Sequence, residues 1–211
     1  RCDWLCEAME IDDMHPPTLD ALVELYRSEA EWLKLADLLL HRADRSDDPS
    51  VSAAYRVTLA DLWQGELETP DRAIDQLEEV TRQLPSHPEA IQRLEQLRER
   101  ADCKRRAVEI LRPLYEGVDD WQSIIRLNGD RLELAQDAAE RVAVLRETAE
   151  LYEQRAGDLE QARRALVMAL SADPSDLSVR VELERLSEVT GEYAELVRVY
   201  TELLEGSADL V

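Results

Sequence analysis

The stretch VLRETAELYEQRAGDLEQARRALVMALSADPSD, Val144–Asp176, decides the fold, because the other segments read as copies of it or partners to it. From Arg141 to Arg155, the residues Val142, Leu145, Thr148, Ala149, Leu151 and Tyr152 recur at three- and four-residue steps, which gathers them on one helix face. Arg146, Glu147, Glu150, Glu153 and Gln154 fall on the other. Gly157 can end the helix in the left-handed conformation without a Cβ clash, and Asp158 can cap the next one through its carboxylate. A second helix follows with Leu159, Ala162, Leu166, Ala169 and Leu170 inward, its two alanines allowing close approach of a partner helix. Asp173-Pro174 stops it, since proline disfavours helical geometry in the residue before it.

This helix–turn–helix resembles the tetratricopeptide repeat, a 34-residue unit found in large bacterial repeat proteins among others. Gly157 stands at the turn, Ala162 and Ala169 at the two small positions, Leu166 at the large apolar one and Pro174 at the end, and the next glycine turn, Gly191-Glu192, comes 34 residues after the first. In the first helix one inserted residue is needed to bring Ala149 and Tyr152 onto the small and aromatic positions, and Leu145 falls near the usual tryptophan, so the copy is divergent. The resemblance implies a right-handed α-solenoid of antiparallel helical hairpins that bury their apolar faces by stacking on their neighbours. It also implies a binding scaffold rather than an enzyme, with Arg146, Glu150 and Glu153 on the first helix as partner-contacting residues.

Working outward, Leu19, Leu22, Leu25 and Tyr26, then Trp32, Leu35, Leu38 and Leu39, predict a hairpin over 17–44. The polar RSDDPS loop separates it from a second hairpin over 50–84, and the last two hairpins are expected at 137–173 and 176–206. Between them the sequence reads as three helices, which we assign as an extra short helix over 88–100 and a hairpin over 104–135. With a partial helix over 2–11 the total is about 12 helices in a single all-α domain. The chain opens with Arg-Cys-Asp inside that partial helix, and we expect it to be a piece of a longer protein.

A longer period overlies the hairpins. Tyr26 and Tyr115, Trp32 and Trp121, Ala60 and Ala149, Leu77 and Leu166, Pro85 and Pro174, and Gly117 and Gly206 are each 89 residues apart. Matches of Trp, Tyr, Pro and Gly at one ungapped offset predict an 89-residue super-repeat.

The 47 acidic residues against 25 basic ones give a formal net charge of −22. Nucleic acid needs a basic surface that releases phosphate counterions, so it is not an expected partner. A partner protein or peptide with a basic segment is, through an acidic groove that steers it. The alternative is a structural spacer or self-assembly module, joined through solenoid ends where Trp4, Leu5, Leu203 and Leu204 would lack neighbours. No apolar run nears the roughly 18 residues that cross a bilayer, so no membrane insertion is expected. Among the basic residues only Lys34 and Lys104 are lysines, and the arginines suit ion pairs along helices, such as Glu89 with Arg93 and Glu160 with Arg164.

Nothing in the sequence assembles chemistry. Cys2, Cys6 and Cys103 are an odd, scattered set that favours a reducing cytoplasm over a secreted disulfide framework. Cys2 and Cys6 with His15 make half a metal site without its second pair, so no metal or cofactor is expected. His15, His41 and His87 have no nucleophile at a working spacing. The acidic pairs Asp12-Asp13, Asp47-Asp48 and Asp119-Asp120 lack a calcium loop's alternating ligands and stand before helices, where carboxylates cap. Trp32, Trp63, Trp121 and Tyr152 occupy repeat positions that pack between hairpins.

Overall fold

A computed structural model describes residues 16–208, and every regular element in that range is helical. The expected helix over 2–11, Cys2, Cys6, His15, Asp12-Asp13 and the side chains of Trp4, Leu5, Leu203 and Leu204 lie outside the described residues. Eleven α-helices follow in order: α1 Pro16–Ser28, α2 Trp32–Arg45, α3 Pro49–Gln64, α4 Pro70–Gln83, α5 Pro88–Arg98, α6 Lys104–Gly117, α7 Trp121–Leu134, α8 Ala138–Leu151, α9 Leu159–Ala172, α10 Leu177–Thr190 and α11 Tyr193–Ala208. A short π-helical turn, Tyr152–Ala156, continues α8. The helices divide into two compact units between Leu114 and Tyr115.

Local chemistry sets the helix starts. Proline opens α3, α4 and α5 at a position whose N–H would have no intrahelical partner. Side chains of Asp48, Asp120, Asp137, Asp158 and Asp176 accept backbone N–H bonds at the N-termini of α3, α7, α8, α9 and α10. Asp48 and Asp120, from two of the acidic pairs, are thus caps, and His87 caps α5 by accepting from the Ala90 N–H at 3.3 Å.

In the first unit α1 packs on α2, α2 on α3, α3 on α4 and α4 on α5. Leu19, Leu22 and Leu38 form a core under α1, with Val23, Leu25 and Tyr26 against it. Ala73, Ile74 and Leu77 of α4 are fully buried. Trp63 is buried, with the Arg72 guanidinium 4.6 Å from its ring centroid, while Trp32 and Trp121 are half-buried. Arg93 of α5 holds Asp61 of α3 through two bonds of 2.8 and 2.9 Å. Glu89, the partner expected one turn away, is not the one it bonds. Arg106 of α6 reaches Asp75 and Glu78 of α4 at 2.8 and 3.1 Å.

In the second unit α7, α8, α9, α10 and α11 likewise pack in sequence order. Val142, Leu145, Ala149, Ala162, Leu166, Ala169, Val179 and Leu183 share one core, with Tyr152 packed against it. Ala162 and Ala169 have no exposed surface, as expected for the small positions that let α8 approach α9. Gly157 ends the π turn with φ +66°. A π turn holds one residue more than the α-helix it interrupts, and it falls where the sequence required one inserted residue.

Backbone features recur 89 residues apart in the two units. Helices begin at 32, 49, 70, 88 and 104, and again at 121, 138, 159, 177 and 193. The left-handed residues Ala30 and Asp119 are so related, as are Glu68 and Gly157. The long-turn bond from the Thr69 N–H to the Trp63 carbonyl matches that from Asp158 to Tyr152, and the bond from Glu31 to Tyr26 matches that from Asp120 to Tyr115.

Candidate functional site

The first helix of the α8–α9 hairpin and the first helix of the next, α10, flank a cleft of about 560 Å³ in the second unit. Arg146, Glu150 and Glu153 all line it, so the structure brings the three sequence candidates together. Ala149 and Leu166 supply its apolar floor, both held in the core. The four-residue helical step sets Arg146 and Glu150 on one side of α8, and the π turn that continues it carries Glu153.

Sequence reading missed the opposite wall, Glu182 and Arg185 on α10. Arg146 pairs with Glu182, and Arg185 grips Glu153 through two bonds of 2.7 and 2.8 Å. These partners are 36 and 32 residues apart, close to one repeat, and the complementary charges at that spacing were the available signal. Glu147 is held by Arg131 at 2.7 Å, and Arg131 also donates to Asn128 at 2.8 Å. Glu150 accepts from the Gln154 amide at 3.0 Å and meets no guanidinium at pairing distance among the described residues. The cleft carries four carboxylates, Glu147, Glu150, Glu153 and Glu182, against two guanidiniums.

The Arg185 hydrogen bonds hold the Glu153 carboxyl below its ordinary value of 4.5, and the Glu182 carboxylate raises Arg146 above its own. Bonds from the Ser123 hydroxyl and N–H likewise hold the Asp120 carboxyl below 3.8. A depressed carboxylate contributes stability that is complete above its unfolded value and is lost as pH falls through its folded one. The urea midpoint of the chain should therefore fall as pH drops below 4.5 and then 3.8. Glu153→Gln should lower the unfolding free energy at pH 7 by no more than about 1 kcal/mol, because the pair is partly exposed, and should flatten the acid limb. An unchanged acid limb in that variant would remove Glu153 from the account.

Among the described residues no group of His, Cys, Asp and Glu is placed to hold a metal ion. Burial pushes the Cys103 thiol up to about 11, the reverse of a reactive cysteine. No helix of the described residues is long and apolar enough to cross a membrane. The chain matches no known family model and no curated protein.

Proposed function

We propose that the chain is a non-enzymatic protein-interaction scaffold of the tetratricopeptide kind, and that the α8–α10 cleft takes a basic segment of a partner. The observation that carries this is the excess of carboxylate in that cleft, four against two guanidiniums, with Glu150 at pairing distance from neither over an apolar floor. Two joins within the first unit support stacked helical hairpins: Arg93 with Asp61 ties α5 to α3, and Arg106 with Asp75 ties α6 to α4, as first and second helices of successive hairpins would be tied. An 89-residue, five-helix period is supported by the helix starts that recur at that spacing in the two units. The scattered cysteines favour a cytoplasmic setting.

The test is fluorescence anisotropy with a labelled Lys- and Arg-rich peptide against a neutral peptide of the same length. The basic peptide should bind more tightly and lose affinity as salt rises. Glu150→Lys should weaken it by about threefold to tenfold, since it replaces an attraction with a repulsion at a partly solvated site. Affinity indifferent to both salt and this substitution would count against the reading.

One observation favours the self-assembly alternative. Leu177 and Val181 of α10 and Val197 of α11 are each more than 60% exposed, which is unusual for large apolar side chains on adjacent helices. Sedimentation velocity separates the two readings. A monomer at high concentration supports the scaffold, and reversible association lost on Val181→Glu supports assembly.

A further inference from the structure

A second cleft in the same unit, of about 430 Å³, is opposite in character to the acidic one. Its walls are Leu132 at the end of α7, Leu145 in α8, and Val167, Met168 and Ala172 in the second half of α9. Leu132, Leu145, Val167 and Ala172 are fixed from behind by the core, whereas Met168 is 56% exposed. Methionine is flexible and polarisable, and suits a surface that remoulds around an incoming apolar group.

Arg141 stands on the same cleft, one helical turn before Leu145. In a chain with a charge of −22, arginines find carboxylates readily, yet among the described residues Arg141 is the arginine whose guanidinium has no partner. The nearest carboxylates in sequence are committed elsewhere. Asp137 accepts from the Glu140 N–H at 2.8 Å, and Glu140 accepts from the Gln136 N–H at 2.8 Å, a reciprocal cap that turns both toward the backbone at the start of α8.

We infer that this cleft is a docking surface for an amphipathic helix of a partner protein that presents two apolar residues one turn apart with a carboxylate beside them. Arg141 and Leu145 are spaced by one turn on α8, as are Val167 and Ser171 and Met168 and Ala172 on α9. A groove between two helices with such spacing receives apolar anchors at matching intervals along a third. The exposed rim at Met168 makes the site an open shelf rather than an enclosed chamber for a small ligand. The carboxylate follows from charge complementarity, since a guanidinium without a partner pairs most strongly with a planar anion. The chain's overall charge does not forbid it, because at physiological salt charges beyond about 8 Å are largely screened.

The probe is a labelled alanine-based helical peptide of about fifteen residues, long enough to populate the helix, carrying two leucines one turn apart and one glutamate between them. A second peptide has glutamine in place of the glutamate. Anisotropy with the full chain should show the glutamate peptide binding about threefold to fivefold more tightly, the contribution of one partly exposed ion pair. Arg141→Gln should abolish that preference, and Met168→Glu should weaken both peptides. Neither substitution removes a contact the fold uses, and circular dichroism should show both variants folded as the parent. The proposal fails if the two peptides bind alike, if Arg141→Gln leaves the preference intact, or if neither peptide binds at millimolar concentration. It fails equally if the chain self-associates through this face, read as a sedimentation shift lost in Arg141→Gln. Decanoate displacing the glutamate peptide at equal concentration would reassign the cleft to a small amphiphile and overturn it.

Discussion

Replacing Ile74 with arginine is expected to destabilise the first unit by at least about 3 kcal/mol, the cost of a buried charge without its partner. Ile74 has no exposed surface. Its counterpart 89 residues later is Arg163, itself only 4% exposed, and that position tolerates a guanidinium because Glu192 sits 3.0 Å from it. The residue in Glu192's place in the first unit is Cys103, a buried thiol with no charge to offer. Under the proposed 89-residue period the same position is apolar in one half and ionic in the other. The reverse substitution, Arg163→Ile, should cost less than Ile74→Arg, because the carboxylate it leaves behind, Glu192, is 52% exposed and stays solvated. Urea unfolding followed by circular dichroism measures both. Equal, small effects would show that the two positions are not structural equivalents, and would weaken the case for the super-repeat.

The hairpin of Val144–Asp176 was largely legible because its signals are local. Gly157 takes a positive φ, Asp158 caps through its carboxylate on the Gln161 N–H, and Ala162 and Ala169 are buried. Even the one-residue mismatch in its first helix carried information, since the π turn at Tyr152–Ala156 is where a helix absorbs an extra residue. The corresponding turn of the first unit was harder to read, because Glu68 and not glycine holds the left-handed position, with φ +50°. Only its relation to Gly157 marks it. Arginine partners were the least legible feature. Glu160 with Arg164 pairs along its helix as expected, but Arg93 turns across to Asp61. Both choices are open to a long side chain, and the distance to the next helix decides between them. For the same reason Arg146, Glu150 and Glu153 were found on one helix, while Glu182 and Arg185 on the facing one were not.

Leu166→Ala should cost about 2–5 kcal/mol, as large-to-small changes at buried leucines do, and should do so in the second unit. Leu166 is 1% exposed and lies in the shared core with Leu145, Ala149 and Leu183. Its neighbours are fixed by the close approach of α8 to α9 at Ala162 and Ala169, so they have little freedom to collapse into the space left behind, which puts the cost toward the upper end of that range. Leu166 also floors the acidic cleft, and truncation deepens that cleft without touching a charged wall. Two measurements then separate its roles. Amide hydrogen exchange should speed up across α8, α9 and α10, while α3 and α4 in the first unit keep their protection, since units with separate cores open separately. Under conditions where the variant stays folded, binding of a basic peptide should keep its salt dependence, because the carboxylates that attract it remain. Loss of that dependence together with the core would mean that the floor, and not the charge of Glu147, Glu150, Glu153 and Glu182, organises the cleft.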